Sequence, residues 1–229
     1  MAAVSRANVL FHGVHLIEPI EESVSVCGSC NTFISNGINQ LLNTILQGGV
    51  IGGCSGLCSK AFPTAKKEQD VCNLVCDAAG EMAFVKLVQK YSGDLDPIYF
   101  CELAKLCPVH DGGSARLNNI TVLPSSGPAG TTFEIDATFT VANQTSTGEL
   151  LLQITPPHGS PFGTSILDEG FAAGQYSVKF SLDTHPSEQE AFDAGQYSVQ
   201  LFGCDGECGS KLPHSSQLFE GSYNFIITH

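Results

Sequence analysis

Eight of the ten cysteines fall within the 81 residues from Cys27 to Cys107, as four close pairs: Cys27/Cys30, Cys54/Cys58, Cys72/Cys76 and Cys101/Cys107. Four cross-links in so short a segment would remove much of the freedom of its unfolded chain, so this pattern limits the possible folds more than any other feature.

The spacing suggests how the pairs connect. Cys54 and Cys58 are four residues apart, as are Cys72 and Cys76, so on helices each pair projects from one face, roughly 6 Å apart along the axis. Only 13 residues separate Cys58 from Cys72, and so short a connection favours antiparallel neighbours. Inner should then meet inner and outer meet outer: Cys58 with Cys72, and Cys54 with Cys76. The same reasoning pairs Cys27 with Cys107 and Cys30 with Cys101. Eight cysteines admit many connectivities, and this one is the expectation with a geometric motive. Zinc is the rival reading of Cys-x2-Cys, but the wider spacings of the other pairs, without histidines beside them, suit a tetrahedral site poorly. Disulfides persist in oxidising spaces, which points to a secreted, lumenal or periplasmic chain.

Between the cysteines lie helical periodicities. Phe33, Ile34, Ile38, Leu41, Leu42, Ile45 and Leu46 recur at three and four residues from Asn31 to Gln47, and glycines 48, 49, 52 and 53 then interrupt the pattern. The stretch Gln69 to Tyr91 carries Val71, Leu74, Val75, Met82, Phe84, Val85, Leu87 and Val88, with Ser92-Gly93 as its stop. Asp96-Pro97 reads as an N-cap followed by proline in the first turn, so Ile98 to Cys107 should be a short last helix. Four helices are expected.

Cys27-Gly-Ser-Cys30, the apolar helix after it, the central cysteines and the closing Asp96-Pro-Ile-Tyr-Phe-Cys101-Glu-Leu-Ala-Lys-Leu-Cys107-Pro108 resemble a saposin B-type domain over roughly residues 23 to 109. That family usually has six cysteines with one central bridge, whereas four central cysteines here imply an extra staple. The resemblance implies contact with lipid or another hydrophobic partner, and Ile38, Leu41, Leu42, Ile45, Leu74, Val75, Val85 and Val88 are the residues placed to line such a cavity. The alternative is that they fill a dry core. The additional staple puts the opening by which some saposins wrap lipid in doubt.

Length and charge set further bounds. The 229 residues suit two domains. Residues 1–110 carry 7 Lys+Arg against 10 Asp+Glu, net −3, and residues 111–229 carry 3 against 13, net −10. So few basic side chains exclude nucleic acid as a partner, because phosphate neutralisation needs clustered cations. No run of about 18 apolar residues exists to form a transmembrane segment. At the N-terminus Val9, Leu10, Phe11, Val14, Leu16 and Ile17 are apolar, but His12, Gly13 and His15 break the continuity a signal peptide needs. Residues 1–22 are therefore expected to be an extended arm docking on a neighbour or on their own domain.

After His110 the texture changes. Short β-type runs follow one another at Ile120–Leu123, Phe133–Val141, Leu150–Ile154, Thr164–Leu167, Tyr176–Leu182, Tyr197–Phe202 and Tyr223–Thr228, separated by Pro, Gly and Ser clusters. Seven such runs argue an all-β immunoglobulin-like sandwich over 116–229, behind a linker at 110–115. Asp193-Ala-Gly-Gln-Tyr197-Ser-Val199 matches the corner that precedes one strand of that fold, with Val199 where antibody domains place a cysteine. Ala173-Gly-Gln-Tyr-Ser-Val178 repeats Ala194-Gly-Gln-Tyr-Ser-Val199, which two strands entering from similar turns would explain. Cys204 and Cys208 are expected to form a local disulfide. Asn119-Ile-Thr121 and Asn143-Gln-Thr145 are glycosylation sequons.

No catalytic constellation is found: there is no Gly-x-Ser-x-Gly elbow, no His-Glu-x-x-His and no phosphate-binding glycine loop. His12 and His15 lack a third ligand nearby in sequence, and no cofactor or metal site is expected. The expected fold class is thus multidomain, an N-terminal all-α disulfide-stapled saposin-like helical domain plus the C-terminal sandwich. The expected function is a secreted or lumenal non-enzymatic binding or assembly protein with a protein partner or as a homo-oligomer. A purely structural extracellular subunit without lipid binding is one alternative, and a membrane-perturbing effector, disfavoured by the charge, is another. A looser likeness is to the countin family of Dictyostelium cell-counting factor components, which combine such a module with a non-catalytic remainder.

Overall fold

The computed structural model describes residues 9–16, 25–48, 52–91, 96–187 and 191–229. The chain forms two compact units: a β unit of Met1–Glu21, His110–Gly209 and Ser216–His229, and a helical unit of Glu22–Val109 with Ser210–Ser215.

The helical unit contains α1 (Val26–Gly48), α2 (Gly53–Ala61), α3 (Lys66–Ala79), α4 (Glu81–Tyr91) and α5 (Pro97–Leu103). Among the described residues the expected four helices are five, because the stretch read as one helix from Gln69 to Tyr91 breaks at Gly80. That residue adopts φ +82°, a conformation that favours glycine. Its N–H donates to the Cys76 carbonyl at 2.8 Å to close α3, and its own carbonyl accepts from the Phe84 N–H at 2.8 Å to open α4. The last helix ends at Leu103, earlier than expected. Its start is fixed by Asp96, whose carboxylate accepts the Tyr99 N–H at 2.9 Å, with Pro97 in the first turn. The expected stop at Ser92-Gly93 lies outside the described residues.

The core of this unit comes from the apolar stripes. Phe33, Ile34, Ile38, Leu41 and Ile45 of α1 are buried, as are Leu57, Val75, Phe84, Val88, Ile98 and Phe100 of the other helices. Gly37 sits inside α1, where glycine costs about 1 kcal/mol of helix stability. A Cβ at this position would lie 3.1 Å from the Phe62 ring and 3.3 Å from that of Phe33. The glycine leaves room for these two rings to pack edge to face at 5.4 Å.

Among the described residues the β unit holds nine strands in two sheets around one apolar core. Strands β1 (Val9–Leu16), β7 (Gly174–Asp183), β4 (Thr132–Asn143) and β2 (Ser114–Leu123) form one sheet in that order. The other runs β3 (Ser126–Pro128), β9 (Ser216–Thr228), β8 (Gly195–Asp205), β5 (Gly148–Thr155) and β6 (Phe162–Asp168). Seven β runs are legible in the sequence, and β1 and β3 are the two additions. Alternate residues face inward as a period of two requires: Phe133, Ile135, Ala137, Phe139 and Val141 of β4, Leu150, Leu152 and Ile154 of β5, and Tyr197, Val199 and Leu201 of β8 are all buried. Aromatic rings dominate the centre, with Phe133 on Phe225 at 4.5 Å and Phe139 stacked on Tyr176 at 5.3 Å.

Part of the expected arm is a strand. β1 pairs antiparallel with β7, placing Val9 opposite Leu182, Phe11 opposite Phe180, Val14 opposite Val178 and Leu16 opposite Tyr176. A register shift between Phe11 and Gly13 accommodates one extra residue. Apolar positions spaced 2, 3 and 2 apart thereby fall opposite the four residues of β7 that build the core.

Candidate functional site: the stapled helical core and the acidic loop end of the β unit

Five disulfides tie the chain: Cys27–Cys107, Cys30–Cys101, Cys54–Cys76, Cys58–Cys72 and Cys204–Cys208, with Cα separations of 4.6, 6.0, 5.7, 5.8 and 5.4 Å. No cysteine is left free. Two bridges join the beginning of α1 to α5 and the residues just past it, and two join α2 to α3. The turn between α2 and α3 is held by side-chain amides as well. Gln40 donates to the Ala61 carbonyl and Gln69 to the Phe62 carbonyl, supplying partners to backbone oxygens that a helix end leaves open.

The structure brings most of the presumed lipid-lining residues together as packed core. Ile38, Leu41, Ile45, Val75, Val85 and Val88 are buried, and Leu42 is half-buried. Leu74 lies apart from this core: it is 44% exposed, because Cys72, Val75 and Cys76 take the inward face of α3. Leu46 and Met82, also assigned to the apolar stripes, are 69% and 66% exposed.

A second cluster lies where the loops of the β unit meet β5 and β8. Gly148 approaches β8 so closely that a Cβ there would lie 1.9 Å from the Cys204 carbonyl oxygen, and it bridges Gly206. Around this contact, carboxylates accept backbone N–H groups. Asp205 accepts from Ser146 at 2.8 Å, Glu149 from Cys208 at 2.7 Å, and Asp168 from Gly170 at 3.1 Å. Thr145 completes the seam, its hydroxyl accepting the Phe171 N–H at 2.7 Å and its own N–H donating to the Phe171 carbonyl at 3.0 Å.

Too many negative charges meet here for all to remain ionised. Burial, reinforced by the charges of Asp205, Glu149 and Glu169 and opposed by the Gly170 hydrogen bond, pushes the Asp168 carboxyl up to about 8. Burial also raises Asp205, with Asp111 adding to the effect. Tyr176 is raised by burial and by the nearby Asp168. Among the described residues no group of three or more His, Cys, Asp or Glu side chains is gathered so as to hold a metal ion. Sequence reasoning missed this cluster, since Glu149, Asp168 and Asp205 are far apart along the chain and each looks like an ordinary surface acid. Asn119 and Asn143 of the sequons are both exposed, on β2 and at the end of β4.

A helical unit clasped by four bridges and a two-sheet β unit with a fifth define a covalently stapled two-unit protein suited to an oxidising environment. Among the described residues no helix is long and apolar enough to cross a membrane. Residues 24–105 match the Countin N-terminal domain and residues 115–229 the Countin C-terminal domain. Countin-1 of Dictyostelium discoideum is 39% identical over 209 residues, covering 91% of this chain and 80% of its own. Countin-3 of the same organism is 37% identical over 214 residues, covering 93% and 94%. The chain belongs to the countin family.

Proposed function

We propose that this chain is a secreted, non-enzymatic subunit of an extracellular protein assembly. The observation that carries the reading is the family match along both halves of a fully cross-linked framework. Such a framework supports display of fixed surfaces rather than turnover of a substrate. The test is to isolate the tagged full-length protein from the medium of the cells that make it and to size it before and after chemical cross-linking. Recovery in a larger species of fixed stoichiometry is expected, and a lone monomer throughout native material would refute the reading.

Two fold relationships belong with this proposal. The helical unit reads as saposin-like, supported by bridges that join its first helix to its last. The β unit reads as immunoglobulin-like, supported by β3 running parallel to β9 at the edge of the second sheet and by the Tyr197 hydroxyl, which donates to the Asp193 carbonyl at 3.0 Å as a tyrosine corner does. Exposed Asn119 and Asn143 support glycosylation, testable by the mass lost on treatment with a glycosidase.

Contact with lipid or a hydrophobic partner is the second reading. Its support lies in the exposed apolar side chains Leu46, Leu74 and Met82 of the helical unit, more than in the buried set. Co-sedimentation with neutral vesicles, lost on changing Leu74 and Met82 to serine, would support it. Absence of vesicle binding by the unaltered protein would remove it.

A further inference from the structure

Every sheet edge offers unpaired backbone groups to another strand, and proteins blunt such edges with bulges, charges, prolines or brevity. Among the described residues the two sheets have four edges, and three of them are blunted. β1 carries a register shift between Phe11 and Gly13. β2 carries two, at Ser114/Ala115 and Leu117/Asn119, together with Arg116 and a sequon asparagine. β3 is three residues long and ends in Pro128.

β6 has no bulge and no proline, and it is not short. Its sequence is Phe-Gly-Thr-Ser-Ile-Leu-Asp, and it pairs with β5 without a break from Phe162 opposite Ile154 to Asp168 opposite Gly148. Its only ionisable side chain is that of its last residue. Ser165, at its middle, is exposed.

We propose that β6 is a homodimerisation edge, pairing antiparallel with β6 of a second copy of this chain about a twofold axis at Ser165, so that two five-stranded sheets become one of ten strands. Charge placement selects a second copy as the occupant. In this register Ser165 faces its own equivalent, Thr164 faces Ile166, Gly163 faces Leu167 and Phe162 faces Asp168, so no carboxylate meets another. Residues of equal parity share a face, and the core side of one sheet therefore continues into the core side of the next.

The acidic cluster lies at the Asp168 end of the strand, and the twofold axis sends the two clusters to opposite ends of the junction. At about 3.4 Å per residue the two Asp168 residues stand about 20 Å apart and the two Glu169 residues about 27 Å apart. Both distances exceed twice the Debye length of about 8 Å at physiological ionic strength. A parallel register, or an antiparallel one shifted toward Asp168, would bring the clusters together. Residues 111–229 carry net −10, and this register lets two like-charged copies join along β6 with their acidic ends apart.

This inference deepens the assembly reading and rests on it, yet the two fail separately. The full chain carrying Ser165→Cys, oxidised mildly at physiological salt, should form a covalent dimer, because only a residue on the axis faces itself at bridging distance. Gln217→Cys, on an exposed position of β9, should not. Light scattering of the unaltered protein should show a dimer dissociating on dilution, and Ser165→Lys, which sets like charges face to face, should shift it to monomer while the far-ultraviolet circular dichroism is unchanged. A monomer at all concentrations, a dimer indifferent to Ser165→Lys, or equal cross-linking at position 217 would each overturn the proposal. A monomer that still enters a larger assembly in native medium would overturn it while leaving the assembly reading intact.

Discussion

Tyr176 and Tyr197 make the same hydrogen bond at equivalent points of a repeated segment: each phenol donates to the carbonyl four residues upstream, Ala172 at 2.9 Å and Asp193 at 3.0 Å. The repeat Ala-Gly-Gln-Tyr-Ser-Val is thus two copies of one local device, entering β7 in the first sheet and β8 in the second. Replacing either tyrosine by phenylalanine keeps the ring packing and leaves the carbonyl short of a partner. A loss of about 1 kcal/mol is expected for each, read as a lower urea midpoint of the β unit, and nearly additive losses are expected from the double variant.

Asp168 makes stability depend on pH in an unusual direction. Its folded carboxyl titrates near 8 against a reference value of 3.8, so the folded state holds a proton that the unfolded chain releases. That contribution is fully present below pH 4 and is lost as pH rises through 8. The melting temperature of the β unit should therefore fall between pH 5.5 and pH 8.5. Asp168→Asn should flatten most of that slope and leave a remainder from Asp205, whose carboxyl is raised as well. A melting temperature that rises over this interval in the unaltered protein would contradict the assignment.

The bridges differ in reach. Cys30–Cys101 closes a separation of 71 residues and Cys204–Cys208 one of 4. The chain-entropy relation gives about 4 kcal/mol for the first and about 2 kcal/mol for the second. Replacing Cys30 and Cys101 with serine should unfold the helical unit at physiological temperature. Replacing Cys204 and Cys208 should lower the β-unit transition by a few degrees and loosen the Ser146–Asp205 contact, measurable as faster amide exchange at Ser146.

Two glycines separate strain from collision. Gly80→Ala meets open space but must hold φ +82° with ψ 135°, a cost on the order of 1–3 kcal/mol. Gly148→Ala places a methyl group 1.9 Å from a backbone oxygen, so β5 and β8 must part. A loss of several kcal/mol and of the folded β unit is expected for the second, and the first should keep its β-unit unfolding transition.

What the sequence discloses depends on how local the signal is. The cysteines at four-residue spacing and the stripe Ile34, Ile38, Leu41 and Ile45 speak through neighbours, and the helices of the structure carry them as such. Leu46, Leu74 and Met82 fit the same periodicity and lie outside, since a stripe defines a face only to within one position at its margins. Gly80 is invisible as a break because one glycine is tolerated in a helical pattern. β1 is hidden by its own bulge, which spoils the alternation of Val9, Phe11, Val14 and Leu16 until β7 supplies the register. The acid cluster has no local signature at all, for only the closure of β5 on β8 creates it.

The strand β1 has a consequence for anyone who divides this protein. The helical unit is threaded between β1 and β2, so the β unit is sewn from segments on both sides of it. Cutting at residue 115, where the family's C-terminal domain begins, removes a strand as well as the helices. The outer backbone of β7 would be stripped bare, and a fragment prepared that way would bring a sticky seam into every binding measurement that the intact molecule keeps closed.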